Sequence, residues 1–587
     1  MENLPRWDLT QLYGGLDDPK IGADLEKAEE LCGHLARLKG RLAKELPAAL
    51  ELVVGISELS GALEAYFYLL SSCDVENQGI KKAMSAASER LARAFAATSF
   101  IDIEIAAIPE ADYAALQSSP IVARHKPYLD RIRRDAKFQL SEKEESLLVR
   151  ISPFASGEWD DMLDEFESKV PFVLDGKTLT LAEIVHAMNA SHDSDTRSNA
   201  MKALNDTLGR SNYSWLRARA LNLVAGRKSA LDSLRGFESP MHSRNLHNNL
   251  DDKVVDALHE SVRKYAVPEM ARYHKILAKL LGKEKLLWSD RNAPLPFEDK
   301  RTIPYPEAEK LVLDSFKGFS PKIAALLRES LDARRLDAPA LKGKASGAYN
   351  CTIVGEGGAT TTWTFLNYLG TQRDVMTLAH ELGHAAHGLL AGARQGVLLA
   401  SAPMAYAETA SIFGEMLVFE NLLGRAAARE EKLCLLCGKI TDWINSVGRQ
   451  ISFSFFEQRL HARRKEGKLS AADLDKMWLD VSREFYGELF DYSDMERLWS
   501  YVGHFMRPFY VYAYAFGELF TQSLFAARPV LGKRFEPLYM EMLSSGGAKD
   551  AVELMAPFGL DPRDPGFWRR GIEASVGRWL SEVEKLV

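Results

Sequence analysis

The residues with the clearest chemistry in this sequence are His380, Glu381 and His384, which form an HExxH motif. On a helix, the two histidines are one turn apart and project from the same face. Two imidazoles placed in this way bind one Zn²⁺, each at about 2.0–2.1 Å. Glu381 lies roughly 100° around the helix, where it can take a proton from a water at the metal without ligating the metal. The spacing therefore predicts a zinc site with Glu381 as the general base.

The residues around the motif favour a buried helix. Leu378, Ala379, Leu382 and Ala385 are apolar and form helices well. Histidines and a glutamate that face the interior are costly unless another group satisfies them. The alternative is a solvent-facing helix with incidental histidines.

A catalytic zinc also needs a third protein ligand and an open position. A metzincin would have Gly at position 387 and His at 390, but the chain has His387 and Leu390, which excludes that class. The next histidine is His461, far along the chain, so a carboxylate is the expected third ligand. We predict Glu408, on a second helix that Pro403 can open.

Two further residues share faces with the predicted ligands. Glu415 lies two turns beyond Glu408, so we predict that it orients a zinc histidine by a hydrogen bond. The alternative for Glu415 is a surface acid. His387 shares the face of His380 and His384, and we predict that it lies beside the ligands or on the substrate side, with direct ligation as the alternative.

These residues need a mainly helical scaffold. Apolar positions recur at three- and four-residue spacing over 22–72 and 78–108, which predicts antiparallel helices. An Asp175-Gly176 pair between alternating segments predicts a β-hairpin. Two further strands are predicted at 347–354 and 360–366, joined by a Gly-rich turn, and they form a small sheet beside the zinc helix. The strand at 360–366 is expected to lie next to that helix, where an edge strand can bind an extended peptide.

Composition excludes several classes of protein. The 587 residues include 74 Lys+Arg and 81 Asp+Glu, and the net charge of −7 argues against a nucleic-acid partner. Five cysteines are too few for a disulfide framework. The N-terminus lacks the basic and apolar pattern of a signal peptide, and no segment is expected to be long and apolar enough to span a membrane. We therefore expect a cytoplasmic protein without a membrane partner.

The motifs resemble those of the oligoendopeptidase F family, which is related to thimet oligopeptidase among the zinc oligopeptidases. The resemblance rests on HELGHAAH at 380–387, ETASIFGE at 408–415 and the histidine and tyrosine cluster at 504–514. Nearly the whole chain takes part, because similar stretches occur at 7–13, 128–145, 286–290 and 544–571. The resemblance implies a large, mainly α-helical ellipsoid around a deep substrate channel. It also implies cleavage of short peptides and exclusion of folded proteins.

The same resemblance suggests three regions within one integrated fold. Residues 1–115 would form an N-terminal helical region. Residues 116–200 would form the N-terminal segment typical of oligoendopeptidase F, including the hairpin. Residues 201–587 would form the zinc metallopeptidase region.

The related families place a histidine and several tyrosines around the substrate, which points to His504, Tyr510 and Tyr514. These would donate hydrogen bonds to the oxyanion of the tetrahedral intermediate. The apolar run 505–520 predicts a buried helix on which Tyr510 and Tyr514 share a face, while Tyr512 points away and packs. The alternative is that these aromatic residues are core, with hydroxyls bonded internally.

The expected function is that of a zinc endopeptidase with one Zn²⁺ per chain and short peptides as substrates. A carboxypeptidase or peptidyl-dipeptidase on the same fold is an alternative, with Arg507 clamping the C-terminus of the substrate. A non-catalytic peptide-binding scaffold is a second alternative, although Glu381 would have no use there. The sequence is compatible with a monomer or a small homo-oligomer.

Overall fold

The computed structural model describes residues 4–151, 158–210, 212–297 and 302–587. Helices account for 72% of the chain, and the strands form only small sheets. The predicted mainly α fold is therefore confirmed.

α-Helices follow one another along most of the chain. In the first half they are α1 (Pro19–Ala36), α2 (Leu42–Cys73), α3 (Gln78–Ala96), α4 (Ile101–Ala107), α5 (Glu110–Leu116), α6 (Pro120–Arg124), α7 (Lys126–Asp135), α8 (Glu142–Ile151), α9 (Glu158–Ser168), α10 (Leu181–Ala190), α11 (Ser194–Arg210), α12 (Tyr213–Arg235), α13 (His242–His247), α14 (Asp252–Ser261) and α15 (Val267–Leu280). In the second half they are α16 (Tyr305–Phe319), α17 (Pro321–Asp332), α18 (Gln372–Gln395), α19 (Met404–Ala407), α20 (Thr409–Arg425), α21 (Arg429–Trp443), α22 (Arg449–Arg464), α23 (Ala471–Tyr486), α24 (Tyr512–Ala526), α25 (Arg528–Leu531), α26 (Phe535–Ser544), α27 (Ala551–Met555), α28 (Pro565–Ile572) and α29 (Arg578–Leu586).

The chain folds into two compact units, and each unit is assembled from three separate segments. The first unit comprises Met1–Lys137, Arg301–Gly424 and Ala527–Gly559. The second unit comprises Phe138–Lys300, Arg425–Ala526 and Leu560–Val587.

The longest helix of the first unit, α2, crosses its N-terminal core. Leu46, Leu50 and Leu63 on α2 are buried in two hydrophobic clusters that also include residues of α1 and α3. By length and composition α2 could cross a membrane, although Glu51, Glu58 and Glu64 interrupt its apolar run, so it has no uncharged stretch of the predicted length. The core helix of a globular unit passes the same test, so one such helix is weak evidence for a membrane segment.

The first unit also contains a three-stranded sheet. Its strands are β4 (Leu336–Pro339), β5 (Tyr349–Val354) and β6 (Thr360–Tyr368), in the order β4-β6-β5. β5 pairs antiparallel with β6, and β4 pairs parallel with β6. The prediction that the strand at 360–366 is an edge strand is therefore wrong, because β6 is central and β5 lies at the edge. Gly357 and Gly358 in the connecting turn both have positive φ, which explains the Gly-rich sequence.

The second unit contains the predicted hairpin, formed by β1 (Phe172–Leu174) and β2 (Lys177–Leu179). Asp175 and Gly176 have φ of 50° and 76°, as a tight hairpin turn requires. A short parallel pair joins β3 (Leu286–Leu287) to β7 (Phe490–Asp491).

The predicted helix over 505–520 is wrong in its first part. A 3₁₀ turn at Gly503–Met506 is followed by a sharp turn, and α24 begins only at Tyr512. Pro508 lies in this turn, and Phe509 has a left-handed φ of 57°. Proline lacks the backbone N–H that a helix interior needs, so the run of apolar residues cannot be one helix.

Candidate metal and active site

The HExxH residues lie in the middle of α18. Thr371 starts this helix with a capping box, in which its side chain and that of Asp374 satisfy each other's backbone N–H groups. The rings of His380 and His384 are 4.9 Å apart between centroids. The structure therefore places the two imidazoles on one face, as their spacing predicts.

Glu408 lies at a break between two helices. α19 ends at Ala407 and α20 starts at Thr409, so the single helix predicted to open at Pro403 is in fact two pieces. Pro403 is the N-cap of the short first piece. The hydroxyl of Ser411 donates to Glu408 Oε2 over 2.8 Å, which fixes the carboxylate at the break.

The atoms of His380, His384 and Glu408 converge. Glu408 Oε2 is 3.1 Å from His380 Nε2 and 3.2 Å from His384 Nε2, and one ligand atom from each residue lies within 4.8 Å of the others. Two ligand atoms on a tetrahedral ion at 2.0–2.1 Å lie about 3.3 Å apart. The donor set and its spacing therefore fit Zn²⁺.

Glu415 contacts the far side of His380. The Nδ1–H of His380 donates to Glu415 Oε1 over 2.7 Å, and Nε2 points toward Glu408, so a bound metal would replace the proton on Nε2. Burial opposes protonation of His380, but the bonds to Glu408 and Glu415 outweigh it and raise the pKa of this histidine well above its ordinary value. The predicted contact between Glu415 and a metal-site histidine is present.

His380 and His384 also shift the pKa of Glu408. Burial raises the pKa of its carboxyl, but hydrogen bonds from His380 and His384 dominate and lower the pKa far below the ordinary value. Glu408 is thus an anionic oxygen donor held between two imidazoles, as a metal site of this type requires.

Glu381 has an unsatisfied atom. Its side chain is 5% exposed, and its Oε2 has no hydrogen-bond partner among the described residues. Burial raises the pKa of Glu381, while the neighbouring His380 and His384 lower it less. A buried carboxylate oxygen without a partner is rare in folded proteins and calls for a water or a ligand proton.

His387 lies one turn beyond His384 and is half-buried. Burial lowers its pKa to about 4, with a smaller contribution from His384. It is not one of the three residues whose ligand atoms converge, but it lines the same pocket. Its place beside the ligands or on the substrate side stays a prediction.

A pocket of about 540 Å³ surrounds these residues within the first unit. It is lined by the HExxH face of α18, by Glu408, by the edge strand β5 and by the loop 397–402. That loop is held from behind, because the backbone N–H of Gly547 donates to the carbonyl of Leu399 over 2.8 Å. The pocket therefore combines a candidate metal-ligand set with residues of the edge strand β5.

Glycines that were not predicted as important from the sequence allow α18 to come close to its neighbours. A Cβ on Gly392 would lie 2.5 Å from Thr360, and one on Gly388 would overlap Thr352. On the other helix, a Cβ on Gly414 would lie 2.8 Å from the carbonyl oxygen of Ala379. Small residues at four-residue spacing on a helix are the sequence signal for such contacts.

His504, Tyr510 and Tyr514 lie together in the second unit. His504 Nε2 is 3.2 Å from the Tyr514 hydroxyl, and the rings of Tyr510 and Tyr514 are 5.5 Å apart between centroids. Tyr510 precedes α24, so the contact does not arise from a shared helix face as predicted. The role of these three residues at an oxyanion stays a prediction.

Tyr512 differs from the other tyrosines. It is buried, its hydroxyl donates to Asn245 Oδ1, and it accepts from Asn248 Nδ2, both over 2.8 Å. This agrees with the prediction that Tyr512 packs in the core.

Two protein-family sequence models match this chain. The sequence model of "Peptidase family M3" matches residues 187–574. A second model, "Oligopeptidase F", matches residues 104–172.

Individual relatives match over nearly the whole chain. Oligopeptidase PepF of Bacillus subtilis is 25% identical over 99% of this chain and 87% of its own length. The oligoendopeptidase F homolog of Lactococcus lactis is also 25% identical, over 99% of this chain and 97% of its own length.

Among solved structures, oligoendopeptidase-F from Enterococcus faecium aligns with a TM-score of 0.71 at 19% identity, over 97% of this chain and 99% of that one. A structure from Chlamydophila abortus aligns with a TM-score of 0.87 at 23% identity, over 100% and 99%. These structures share the fold.

Proposed function

This chain belongs to peptidase family M3 and is an oligopeptidase of the oligoendopeptidase F type, and from that premise we propose that it is a zinc-dependent endopeptidase of short peptides with Glu381 as its general base. The observation that carries the proposal is the unpartnered, buried Oε2 of Glu381 in the pocket where His380, His384 and Glu408 converge.

The chain's own residues would divide the work as follows. His380, His384 and Glu408 would hold Zn²⁺, and Glu415 would keep the His380 proton on Nδ1. A bound Zn²⁺ supplies a Lewis acid for the scissile carbonyl and lowers the pKa of water to about 7.

Glu381 would accept the proton of the attacking water at Oε2 and pass it to the leaving amine. Because burial raises its pKa, the Glu381 carboxylate is a stronger base than an exposed one. The same burial keeps bulk water from competing for Oε2.

The edge strand supports a peptide as substrate. β5 pairs on one side with β6, and residues along it line the metal pocket. An extended peptide that adds to this edge would bind through backbone hydrogen bonds, which exist in every sequence. This mode fits short peptides of mixed composition.

The test uses quenched fluorescent peptides blocked at the C-terminus. The zinc-loaded enzyme should cut them internally, lose activity with a chelator and regain it with Zn²⁺. A carboxypeptidase would leave the blocked peptides intact.

The variant Glu381→Gln should lose at least about a hundredfold in kcat while it keeps one zinc per chain by metal analysis. Glu329→Gln is the matched control, since Glu329 is an exposed acid on α17, and it should keep full activity. A fully active, zinc-loaded Glu381→Gln enzyme would refute this mechanism.

A further inference from the structure

A second pocket, of about 490 Å³, lies within the second unit and is rich in arginine. Arg217, Arg449 and Arg507 line it, together with His504 and one described carboxylate, Asp164. Its charge is therefore unbalanced before any contact is considered.

One of the three arginines is neutralised, and the other two are not. Arg217 lies 3.0 Å from Glu167. Among the described residues, no carboxylate lies within 4 Å of the guanidinium of Arg449 or Arg507, and Asp164 pairs with neither. Arg449 Nε is also buried and has no hydrogen-bond partner in the described part of the chain. The pocket thus has two cations free to meet an anion.

A fourth arginine strengthens the positive charge near Arg449. Arg291 is 6% exposed, its guanidinium carbon lies 4.7 Å from the ring centroid of Trp288, and its Nε has no hydrogen-bond partner within the described ranges. Burial lowers the pKa of Arg291, and the charge of Arg449 lowers it further, so the two guanidinium groups repel each other. The buried hydroxyl of Tyr486, which interacts electrostatically with Arg291, has no hydrogen-bond partner among the residues that the structure describes.

The positive charge of this pocket also affects His504. Burial lowers the pKa of His504, and the charges of Arg449 and Arg507 add to this effect. The two cations therefore disfavour protonation of His504.

The arginines without a carboxylate partner indicate that this pocket binds an anion. A charge taken out of water costs several kcal/mol unless an opposite charge or hydrogen bonds compensate it. This cost applies to Arg449, because its Nε is buried without a partner among the described residues. Arg507 is exposed and hydrated, so it adds a second positive charge at the pocket without that cost. The planar fork of arginine matches a carboxylate in a bidentate pair. Arg449 also directly follows a π-helical turn at Ile444–Gly448, a distortion that is frequent at functional sites.

We propose that the pocket around Arg449 and Arg507 binds a carboxylate of the peptide substrate. The peptide nature of the ligand rests on the proposed function, whereas the carboxylate chemistry rests on the unpaired arginines. Two carboxylates have this chemistry, the C-terminal α-carboxylate and an Asp or Glu side chain, and the experiment separates them.

The experiment measures binding by calorimetry to the zinc-loaded, full-length Glu381→Gln protein, which holds peptides intact. Four versions of one peptide are compared, with a free or amidated C-terminus and with an internal Glu or Gln. Removal of the recognised carboxylate should weaken binding about tenfold or more. Weaker binding of the amidated peptide than of the free peptide would assign the α-carboxylate as the bound group. Weaker binding of the Gln peptide than of the Glu peptide would assign the side chain.

Variants link the effect to this pocket. Arg449→Gln and Arg507→Gln should each bring the ratio of the two dissociation constants in a peptide pair closer to one. Arg449→Lys should keep a ratio between that of the wild-type residue and that of Arg449→Gln. Arg570→Gln, an exposed arginine on α28, is the matched control and should leave the discrimination unchanged. Arg507 is exposed, so its variant is expected to fold even if Arg449→Gln does not.

Two results would overturn the proposal. One is equal affinity for all four peptides. The other is discrimination that survives in the folded Arg449→Gln and Arg507→Gln proteins, because the carboxylate would then bind elsewhere. Failure of the proposed function has a different signature, since the wild-type zinc enzyme would cut no peptide whatever the binding ratios are.

Discussion

The backbone of Ala410 occupies the place where a side chain on Gly383 would lie. A Cβ on Gly383 would overlap the Ala410 carbonyl oxygen and stand 2.6 Å from the Cα of Ser411. Gly383 is the residue before His384, and Ser411 bonds the Glu408 carboxylate. The close approach of α18 and α20 therefore sets the distance between the histidine and glutamate ligands.

We expect Gly383→Ala to separate these helices. Overpacking of this kind costs about 1–3 kcal/mol, and it moves Glu408 away from both imidazoles. The melting temperature should fall by a few degrees, and the zinc affinity should fall about tenfold or more. Metal competition titration and thermal unfolding measure the two effects.

Gly424→Ala is the matched control for Gly383→Ala. Gly424 lies on the same α20, and a Cβ there meets no atom within 4 Å. Alanine should be neutral or slightly stabilising at this helical position. Equal zinc affinity in the two variants would show that the close contact at Gly383 does not set the metal site.

Glu415→Gln should weaken metal binding without removing a ligand. The variant loses the anionic acceptor that fixes the His380 ring, and changes of this type cost about 10–100-fold in metal affinity. Zinc affinity measured by competition with a chelator tests this. Glu420→Gln, on the same helix but outside the pocket lining, should bind zinc normally. An unchanged affinity in Glu415→Gln would remove Glu415 from this role.

Tyr510→Phe and Tyr514→Phe separate two roles of the tyrosine cluster. If the hydroxyls donate to the oxyanion, each variant should lower kcat by about ten- to a thousandfold with a much smaller change in KM. A rise in KM at constant kcat would instead assign them to ground-state binding of the peptide. Tyr512→Phe is the control, because its hydroxyl bonds only core asparagines, and it should lower the melting temperature without changing either constant.

Glu457 holds the strained turn before this cluster. Its carboxylate accepts the Phe509 N–H over 2.9 Å, and Arg244 donates to the carbonyl of Pro508 over 3.2 Å. Burial raises the pKa of Glu457 to about 8, and the hydrogen bond from Phe509 and the charge of Arg244 only partly oppose this shift. The folded protein thus keeps a proton that the unfolded chain loses near pH 4.5.

Stability should therefore decrease as pH rises from about 4.5 to about 8, by up to about 1.4 kcal/mol per pH unit from this group. Glu457→Gln cannot titrate, so its melting temperature relative to wild type should increase steadily across this window. Calorimetric scans at several pH values measure this difference in melting temperature. Glu329→Gln is the control, and its melting temperature should differ from that of wild type by the same amount at every pH. A pH-independent difference for Glu457→Gln would contradict the prediction.

The metal-ligand set was predictable because it depends on local geometry. The spacing of His380 and His384 fixes their common face on any straight helix, and Glu415 needs only the regular turn of α20 to reach His380. Glu408 was identified even though the helix breaks there, since the break leaves its carboxylate on the same side.

The failures have physical reasons as well. The run 505–520 is apolar enough to mimic a buried helix, and Pro508 was the signal against it. The order of the strands could not be predicted from the sequence, because β4 pairs with β6, which is not the next strand in the chain. For the same reason the contact of Gly383 with Ala410 becomes visible only when both helices are in place.

The three-segment construction of the first unit has a consequence for biosynthesis. The ligands His380, His384 and Glu408 leave the ribosome well before Gly547, whose N–H holds the pocket loop at Leu399. At about 5–20 residues per second, this delay is on the order of ten seconds. During that interval the nascent chain carries the three proposed metal ligands but lacks the residue that holds the pocket loop, so we expect peptide cleavage to begin only after Gly547 has been synthesised.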